Sequence, residues 1–254
     1  MVVQGGGALN TPLDVASARL AAAVVRESLG AGGAAARPRT PAQGLGPAFI
    51  DPALAFLAAH GGEVRFAARL RAFEFAQDRV ATLDFGEDRI ALAPEDAVVF
   101  AAPAWSALEL VPGLSAPTEH CAIFNAHYAV KPPAGMPLLT GVVGGMSEWL
   151  FAFPDRLSVT ISAADAFIES APEDIGARIW REIAGIAGLD AARTPAMRIV
   201  KEKRATFAAT PAQDALRPWA QTRWRNLLLA GDWTQTGLPA TIEALYAKNG
   251  AAPE

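Results

Sequence analysis

Features that indicate several other classes of protein are scarce in this sequence. Its 254 residues include one cysteine, Cys121, so the chain can form neither an intramolecular disulfide nor a Cys-rich zinc site. Lys and Arg total 22 against 26 acidic residues and form no cluster, so a nucleic-acid partner is not expected. No stretch of about 18 uncharged apolar residues occurs, which predicts that any membrane contact is peripheral.

Metal and hydrolytic catalysis also find little support. The chain has three histidines, His60, His120 and His127, and their spacing is not that of metal ligands. No G-x-S-x-G elbow accompanies them, so a Ser-His-Asp triad has no local context. Cys121 opens an apolar run to Phe124 and is expected to be a small buried hydrophobe. A lone thiol suits a reducing cytoplasm, and a peripheral association with membranes stays open.

What the sequence does contain is apolar residues, at 52% of the chain against 19% charged, enough for one large or two small domains. Thr11 with Pro12 predicts the start of a helix that ends near Gly30. A second helix is predicted from Asp51 to Gly61, with Leu54, Phe56 and Leu57 turned inward.

Short strands are predicted on both sides of residue 113. The first group is 80–85, 89–92 and 97–101, with a turn at Gln77 and Asp78; the second is 122–130, 138–143, 149–153 and 157–162. The second group, punctuated by prolines, favours an antiparallel sheet in a substrate-handling lobe. A helix over 173–187 places Ile175, Ile179, Ile183 and Ile186 on one face. Further strands are predicted at 196–203 and 226–229.

The segment Leu227–Gly250 carries the clearest chemical signal. A buried strand leads into Gly231 and Asp232, where a glycine permits close approach to a pyrophosphate and a carboxylate can accept hydrogen bonds from sugar hydroxyls. A turn shaped by Gly237 and Pro239 then opens a helix. We expect the amides of Ala240, Thr241 and Ile242 to face outward there, at the positive end of the helix dipole. Spacing alone leaves an ordinary strand-turn-helix equally open.

The stretch AGDWTQTGLPATIEA resembles the C-terminal FAD motif of the squalene-associated desaturases, or hydroxysqualene dehydroxylases, in the superfamily of amine oxidases and phytoene desaturases. Further similar stretches are ALNTPLDVASARL, GGEVRFAARLRAFE, VVGGMSEWLF, LSVTISAADA and KEKRATFAATPAQ. The resemblance implies that Gly231 and Asp232 lie near the ribityl-pyrophosphate and that Ala240, Thr241 and Ile242 lie under the isoalloxazine ring. It also implies adenine contact by the backbone of Leu70 and a position beside the cofactor for Ala101.

The fold implied is α/β (α+β), an incomplete Rossmann-like FAD-binding domain with an antiparallel substrate lobe. Four segments follow: 1–60, helical and part of the substrate lobe; 61–112, the middle of the FAD-binding domain; 113–222, the substrate lobe; and 223–254, the C-terminal FAD-binding strand-turn-helix. Trp105, Trp149, Phe151, Phe153 and Phe207 either line a tunnel for a polyisoprenoid or belong to the core.

The chain departs from this family in lacking a strand followed by G-x-G-x-x-G, which binds the ADP half of FAD. The string Gly30–Ala35 fits G-x-G-x-x-A but follows a predicted helix, so it is not expected to cradle a phosphate. We therefore expect a truncated or mis-started reading frame, a real loss, or one half of a split protein whose other polypeptide supplies this segment. FAD binding by the chain alone is expected to be weak or absent.

The resemblance implies an FAD-dependent oxidoreductase of hopanoid or isoprenoid biosynthesis that removes hydroxyl from hydroxysqualene or desaturates a squalenoid. No side chain identifies itself as the acid or base. Two alternatives stay open: a relative acting on carotenoids, phytoene or amines, and a catalytically inactive fragment that serves as a folding or partner-binding module.

Overall fold

The computed structural model describes residues 5–246, which form two compact units. The first unit comprises the residues up to Leu13, Ala31–Val64 and Cys121–Ala205; the second comprises Asp14–Gly30, Arg65–His120 and the residues from Thr206 onward. Both units combine segments that are distant in sequence, whereas the sequence-based division runs through four consecutive segments. The final residues of the predicted motif, 247–250, lie outside the described range.

Three helices open the described part of the chain, and runs of strands separated by single helices follow. The helices are α1 (Gly5–Leu9), α2 (Ala18–Glu27), α3 (Asp51–Ala59), α4 (Ala104–Leu110), α5 (Pro172–Ala187), α6 (Pro211–Ala215) and α7 (Ile242–Tyr246). The strands are β1 (Ala72–Ala76), β2 (Arg79–Asp84), β3 (Arg89–Ala91), β4 (Val98–Phe100), β5 (His120–Tyr128), β6 (Leu139–Gly141), β7 (Trp149–Phe153), β8 (Arg156–Ile161), β9 (Met197–Phe207) and β10 (Leu227–Leu229). A π-type turn, Gly46–Ile50, leads into α3, and 3₁₀ turns occupy Leu29–Ala31 and Ala164–Ala166.

The first unit is built on the predicted antiparallel sheet, whose five strands lie in the order β6-β7-β8-β5-β9. Alternate residues of each strand point to opposite faces, and one face is apolar. That face carries Phe124 and Tyr128 of β5, Leu150 of β7 and Val159 of β8, all fully buried. The strands predicted between residues 121 and 162 are therefore confirmed.

Helix α5 packs on this apolar face and completes the core of the first unit. Its residues Ile175, Ile179 and Ile183 are buried, as predicted, but Ile186 is 45% exposed and lies off the stripe. Gly188 ends the helix in the left-handed conformation at φ 65°, which a glycine adopts without steric cost.

Helix α3 starts at Asp51 as predicted and ends at Ala59, two residues before Gly61, and Leu54 is partly buried, but the predicted burial of Phe56 and Leu57 is wrong. Phe56 and Leu57 are 62% and 41% exposed. Apolar side chains surround this helix almost completely, so the pattern specifies no single face for burial.

The second unit contains two small sheets. Strands β1, β2 and β3 form an antiparallel meander, with Gln77 at φ 55° in the predicted turn. Strands β4 and β10 pair in parallel although 129 residues separate Val98 from Leu227. Asn226 joins the two sheets: its side-chain amide accepts from Val80 N at 2.8 Å and donates to Val80 O at 3.0 Å.

The first helix of the second unit starts later than predicted. Ser17, not Thr11, caps α2, and its hydroxyl accepts from the amide of Leu20. Leu20 is buried, whereas Val25 is 53% exposed. Helix α4, which follows β4, was not among the predicted elements.

Candidate functional site

The parallel pair β4 and β10 defines the edge at which the predicted site residues gather. Phe100 is paired with Leu229, so both strands end at the same edge, and the amide of Ala230 donates to Phe100 O at 3.0 Å. Ala101 is the first residue after β4, and Gly231 is the second residue after β10. Because ligands of open α/β sheets bind beyond the carboxyl ends of the strands, this edge is the place to look for a cofactor.

A cleft of about 600 Å³ opens beside that edge. Its lining residues are Ala68, Arg69, Leu70, Arg71, Phe100, Ala102, Ser106, Glu109 and Leu110. The volume lies within the range of roughly 300–1,000 Å³ that small-molecule sites occupy. Leu70 thus lines the same cleft as Phe100 and Ala102, the two residues that flank Ala101.

Gly231 is closely packed, which gives a second reason for a glycine there beside the pyrophosphate approach expected from the sequence. A Cβ atom at Gly231 would lie 2.4 Å from Nε1 of Trp233, so the space beside this glycine is occupied by the indole. The same Nε1 atom donates to Ala102 O at 3.1 Å and joins the loops that follow β10 and β4. Trp233 is buried, and sequence reasoning had not selected it.

Asp232 lies beside this indole with its carboxyl partly buried. Burial raises the pKa of the Asp232 carboxyl above its ordinary value, while Arg217 and the amides of Asp232 and Trp233 act in the opposite direction. The ionised form of this carboxyl is therefore less favoured than in water, and its expected contact with a sugar hydroxyl stays a prediction.

The turn before α7 agrees with the prediction in part. Gly237 has φ 77°, the left-handed conformation that favours glycine, and Pro239 follows it in a buried position. The amide of Thr241, expected to be free, instead donates to Pro239 O at 2.8 Å. No acceptor for the amides of Ala240 and Ile242 lies among residues 5–246.

A buried arginine contacts most of the loop between Gly231 and the turn. The Arg217 side chain has no exposed surface and donates to the carbonyl oxygens of Asp232, Thr234 and Leu238. Neither Arg217 nor its partner Asp214 was a predicted site residue. The only sequence signal was their position directly after the KEKRATFAATPAQ stretch.

The face of the first unit's sheet opposite α5 is mixed in character. Its aromatic residues on β7 include Trp149, 38% exposed, and Phe151 and Phe153, whose rings stack with centroids 6.0 Å apart. On the neighbouring strands, Nδ1 of His127 lies 2.9 Å from Oγ of Ser158. Burial, then Arg156 and Arg198, lowers the pKa of His127.

The remaining aromatic candidates have core or structural contacts. Phe207 is buried, and its ring lies 4.8 Å from the guanidinium carbon of Arg217. Trp105 meets the ring of His120 edge-on at 5.1 Å. Over residues 5–246 no group of three metal-binding side chains is close enough to hold an ion, and no helix is long and apolar enough to cross a membrane.

The comparison that decides the family covers nearly the whole chain: the model of the flavin-containing amine oxidoreductases matches residues 2–246. The chain belongs to that family. The α/β fold expected from the resemblance is confirmed, and the family is one of flavoproteins.

Three curated relatives are similar along almost all of this chain, and all are named hydroxysqualene dehydroxylase. The relative from Rhodopseudomonas palustris is 57% identical over 237 residues, which are 93% of this chain and 56% of the relative. Those from Sinorhizobium fredii and Zymomonas mobilis are 48% and 47% identical over 93% of this chain. The chain therefore spans between 56% and 57% of the length of these relatives.

Each relative carries its additional length within one chain. The comparisons thus lend no support to a separate polypeptide that supplies the missing segment. Among solved structures, cyclohexylamine oxidase from Brevibacterium oxydans has the same fold, with a TM-score of 0.53 and 13% identity over 72% of this chain and 46% of that one.

The residues at the edge fit part of a flavin nucleotide. The cleft offers Leu70 and Phe100 to a flat apolar group, and its lining carries two positive side chains, Arg69 and Arg71, against one acid, Glu109. The loop after β10 adds the Asp232 carboxylate. Among the described residues, no glycine-rich turn between a strand and a helix supplies the amides that a diphosphate requires.

Proposed function

We propose that this chain forms part of an FAD-dependent oxidoreductase that acts on a hydroxylated squalenoid. The observation that carries the proposal is 57% identity to a hydroxysqualene dehydroxylase over 93% of the chain, a stretch that includes the complete edge of β4 and β10. Residues 61–112 and 223–254 would hold the cofactor, and residues 1–60 and 113–222 would handle the substrate.

At the cofactor end, Leu70 and the backbone beside Ala101 contact the adenosine part from the cleft. Gly231 and Asp232 lie at the ribityl-pyrophosphate, and Gly237 and Pro239 shape the turn that presents Ala240, Thr241 and Ile242 to the ring. In this assignment the amides of Ala240 and Ile242, but not that of Thr241, are available to a ligand. When bound in its reduced form, FAD supplies the hydride that replaces the departing hydroxyl.

At the substrate end, the mixed sheet face suits a long apolar molecule with one hydroxyl. Trp149, Phe151 and Phe153 offer apolar surface to the isoprenoid chain. The ring of His127, hydrogen-bonded at 2.9 Å to the buried hydroxyl of Ser158, adds a polar group to this face that can meet the substrate hydroxyl.

The cofactor part of the proposal is tested with two proteins: the chain alone, and the chain extended at its N terminus by the corresponding segment of the R. palustris relative. We expect stoichiometric FAD, seen in the visible absorption spectrum, only in the extended protein. A stoichiometric flavin spectrum from the chain alone would overturn the expectation of weak binding.

The substrate part is tested by supplying hydroxysqualene to the chemically reduced form of the extended enzyme and, in parallel, phytoene or a primary amine to its oxidised form, which can accept a hydride. Squalene, identified by mass spectrometry, is the expected product. Turnover of phytoene or of the amine without squalene would assign the protein to one of the alternative activities instead.

Peripheral membrane contact belongs to the same proposal, because a squalenoid partitions into the apolar part of a bilayer. Co-sedimentation of the extended protein with phosphatidylcholine vesicles, with and without hydroxysqualene, measures it. Recovery of all the protein in the supernatant under both conditions would remove this element of the proposal.

A further inference from the structure

Four residues of the loop from Asp232 to Leu238 accept hydrogen bonds from one side chain that lies outside the loop. Arg217 follows α6, and its guanidinium has no exposed surface. Its Nη1 atom donates to Leu238 O at 2.8 Å, and Nη2 donates to Asp232 O at 3.1 Å. The carbonyl of Thr234 and the hydroxyl of Thr236, at 3.1 Å, accept from the same Nη2 atom.

All four acceptors lie within the seven residues 232–238, and three of them are backbone carbonyl oxygens. The guanidinium thus fixes the orientation of three carbonyl groups within one loop. Only arginine presents a planar fork of donors that can meet acceptors on two sides at once. A lysine at position 217 would keep the charge but offer a single nitrogen atom in place of the two that now donate to Leu238 O and Asp232 O.

An ion pair with Asp214 and a contact with the Phe207 ring hold the Arg217 guanidinium itself. The Asp214 carboxylate is buried and lies 3.2 Å from Nη1 of Arg217. Its other oxygen accepts from Nε of Arg19 at 3.0 Å. The Phe207 ring covers one face of the Arg217 guanidinium, with 4.8 Å from the guanidinium carbon to the ring centroid. The Arg217 guanidinium is therefore held by Asp214 and Phe207 independently of its contacts with the loop.

We propose that Arg217 is the positioning residue that holds the Asp232–Leu238 loop, and with it the turn at Gly237 and Pro239, in the conformation that receives the flavin. This inference rests on the proposed function for its second half, the placement of the flavin. Its first half, control of the loop, concerns this chain alone.

The loop is tested first, in the chain as it is and without flavin. Arg217→Lys should raise amide hydrogen exchange between residues 232 and 238 by roughly tenfold or more, since charged hydrogen bonds are lost there. Exchange in the β1–β3 meander should stay unchanged. Arg223→Lys is the matched control: Arg223 is exposed, six residues further on, and stacks on Trp224 at 4.2 Å without contacting the loop.

A variant with a milder change keeps the test decisive if Arg217→Lys does not fold. Thr236→Val removes one acceptor of Arg217, and that hydroxyl also accepts from the Leu238 amide at 3.2 Å. It should raise exchange in the same loop by a smaller factor. Wild-type exchange in a folded Thr236→Val or Arg217→Lys chain would overturn the first half of the proposal.

The flavin is tested second, in the N-terminally extended protein. We expect Arg217→Lys to weaken FAD binding by roughly tenfold or more and to shift the flavin absorption band and midpoint potential. An Arg217→Lys protein with a loosened loop but wild-type FAD affinity, spectrum and potential would refute the positioning role. If the wild-type extended protein binds no FAD, the proposed function fails and the loop result still stands.

Discussion

The substitution Gly231→Ala tests whether close packing against Trp233, and not only the approach of a pyrophosphate, requires a glycine at this position. If the glycine exists to let a pyrophosphate approach, an alanine should leave the stability of the flavin-free chain unchanged. The structure predicts otherwise, because the added Cβ would lie 2.4 Å from Nε1 and 2.7 Å from Cδ1 of Trp233. The indole has to move, and its hydrogen bond to Ala102 O is lost.

The expected cost follows from these two effects. Overpacking a filled interior costs about 1–3 kcal/mol, and losing a hydrogen bond costs about 0.5–1.5 kcal/mol. We therefore expect Gly231→Ala to lower the free energy of unfolding by roughly 2–4 kcal/mol. The backbone of Gly231 is not in the left-handed region, so alanine introduces no conformational strain of its own.

Urea unfolding followed by far-UV circular dichroism measures the effect, and a double-mutant cycle assigns it. In a Trp233→Leu background the atoms that clash are gone, so Gly231→Ala should cost close to nothing there. Gly185→Ala is the control, because a Cβ in that position of α5 meets no atom within 4 Å. Equal costs of Gly231→Ala in the wild-type and Trp233→Leu backgrounds would refute the packing explanation.

Three further predictions concern other parts of the chain. Asn226→Ala leaves the buried amide and carbonyl of Val80 without their side-chain partner and should cost roughly 2–4 kcal/mol in urea unfolding; Asn226→Asp, whose second carboxylate oxygen would face Val80 O and Asp96 O, should cost at least as much. The pKa of the His127 ring is lowered, so the stability that its neutral form contributes is present above the ordinary value of 6.5 and is lost as pH falls through the folded-state value. Between pH 7.5 and pH 5 the urea midpoint of the wild type should therefore drop further than that of His127→Gln. Parallel drops of the two midpoints would contradict this prediction. Leu70→Arg fills part of the cleft and should weaken FAD binding to the extended protein by roughly tenfold, while Ile90→Arg, on the exposed face of β3, should leave the titrated affinity unchanged.

The elements that the sequence predicted well are those whose burial follows a regular period. The strands of the first unit alternate between core and opposite face, and α5 repeats isoleucine at helical spacing, so local pattern and tertiary packing agree. The turn before α7 was also predicted, because a glycine and a proline two residues apart, Gly237 and Pro239, favour a turn over a regular helix or strand.

Helix starts were less predictable, because several neighbouring residues satisfy the same capping rule. Thr11 with Pro12 fits the rule as well as Ser17 does, yet the Thr11 hydroxyl donates to Leu9 O at 3.0 Å. The adjacent Asn10 donates to Cys121 O at 3.1 Å. The hydrogen bond of Asn10 joins residues 111 positions apart, so the residues around Asn10 do not predict it.

Arg217 and Trp233 were missed for a related reason. Their partners are backbone carbonyl groups, which every residue possesses, so no complementary side chain marks the contact in the sequence. An arginine beside Asp214 resembles an ordinary surface ion pair until its complete burial is seen. The resemblance implied a cofactor contact at Leu70, but no local pattern predicts the cleft there, since its walls come from segments about thirty residues apart.

Hydrogen exchange of the extended protein with and without FAD tests most directly whether the edge of β4 and β10 holds the cofactor. Added FAD should protect the amides of residues 68–71, 100–102 and 231–232, leaving the β1–β3 meander unchanged. Stoichiometric binding of FAD without protection in any of these three segments would contradict the assignment of the site.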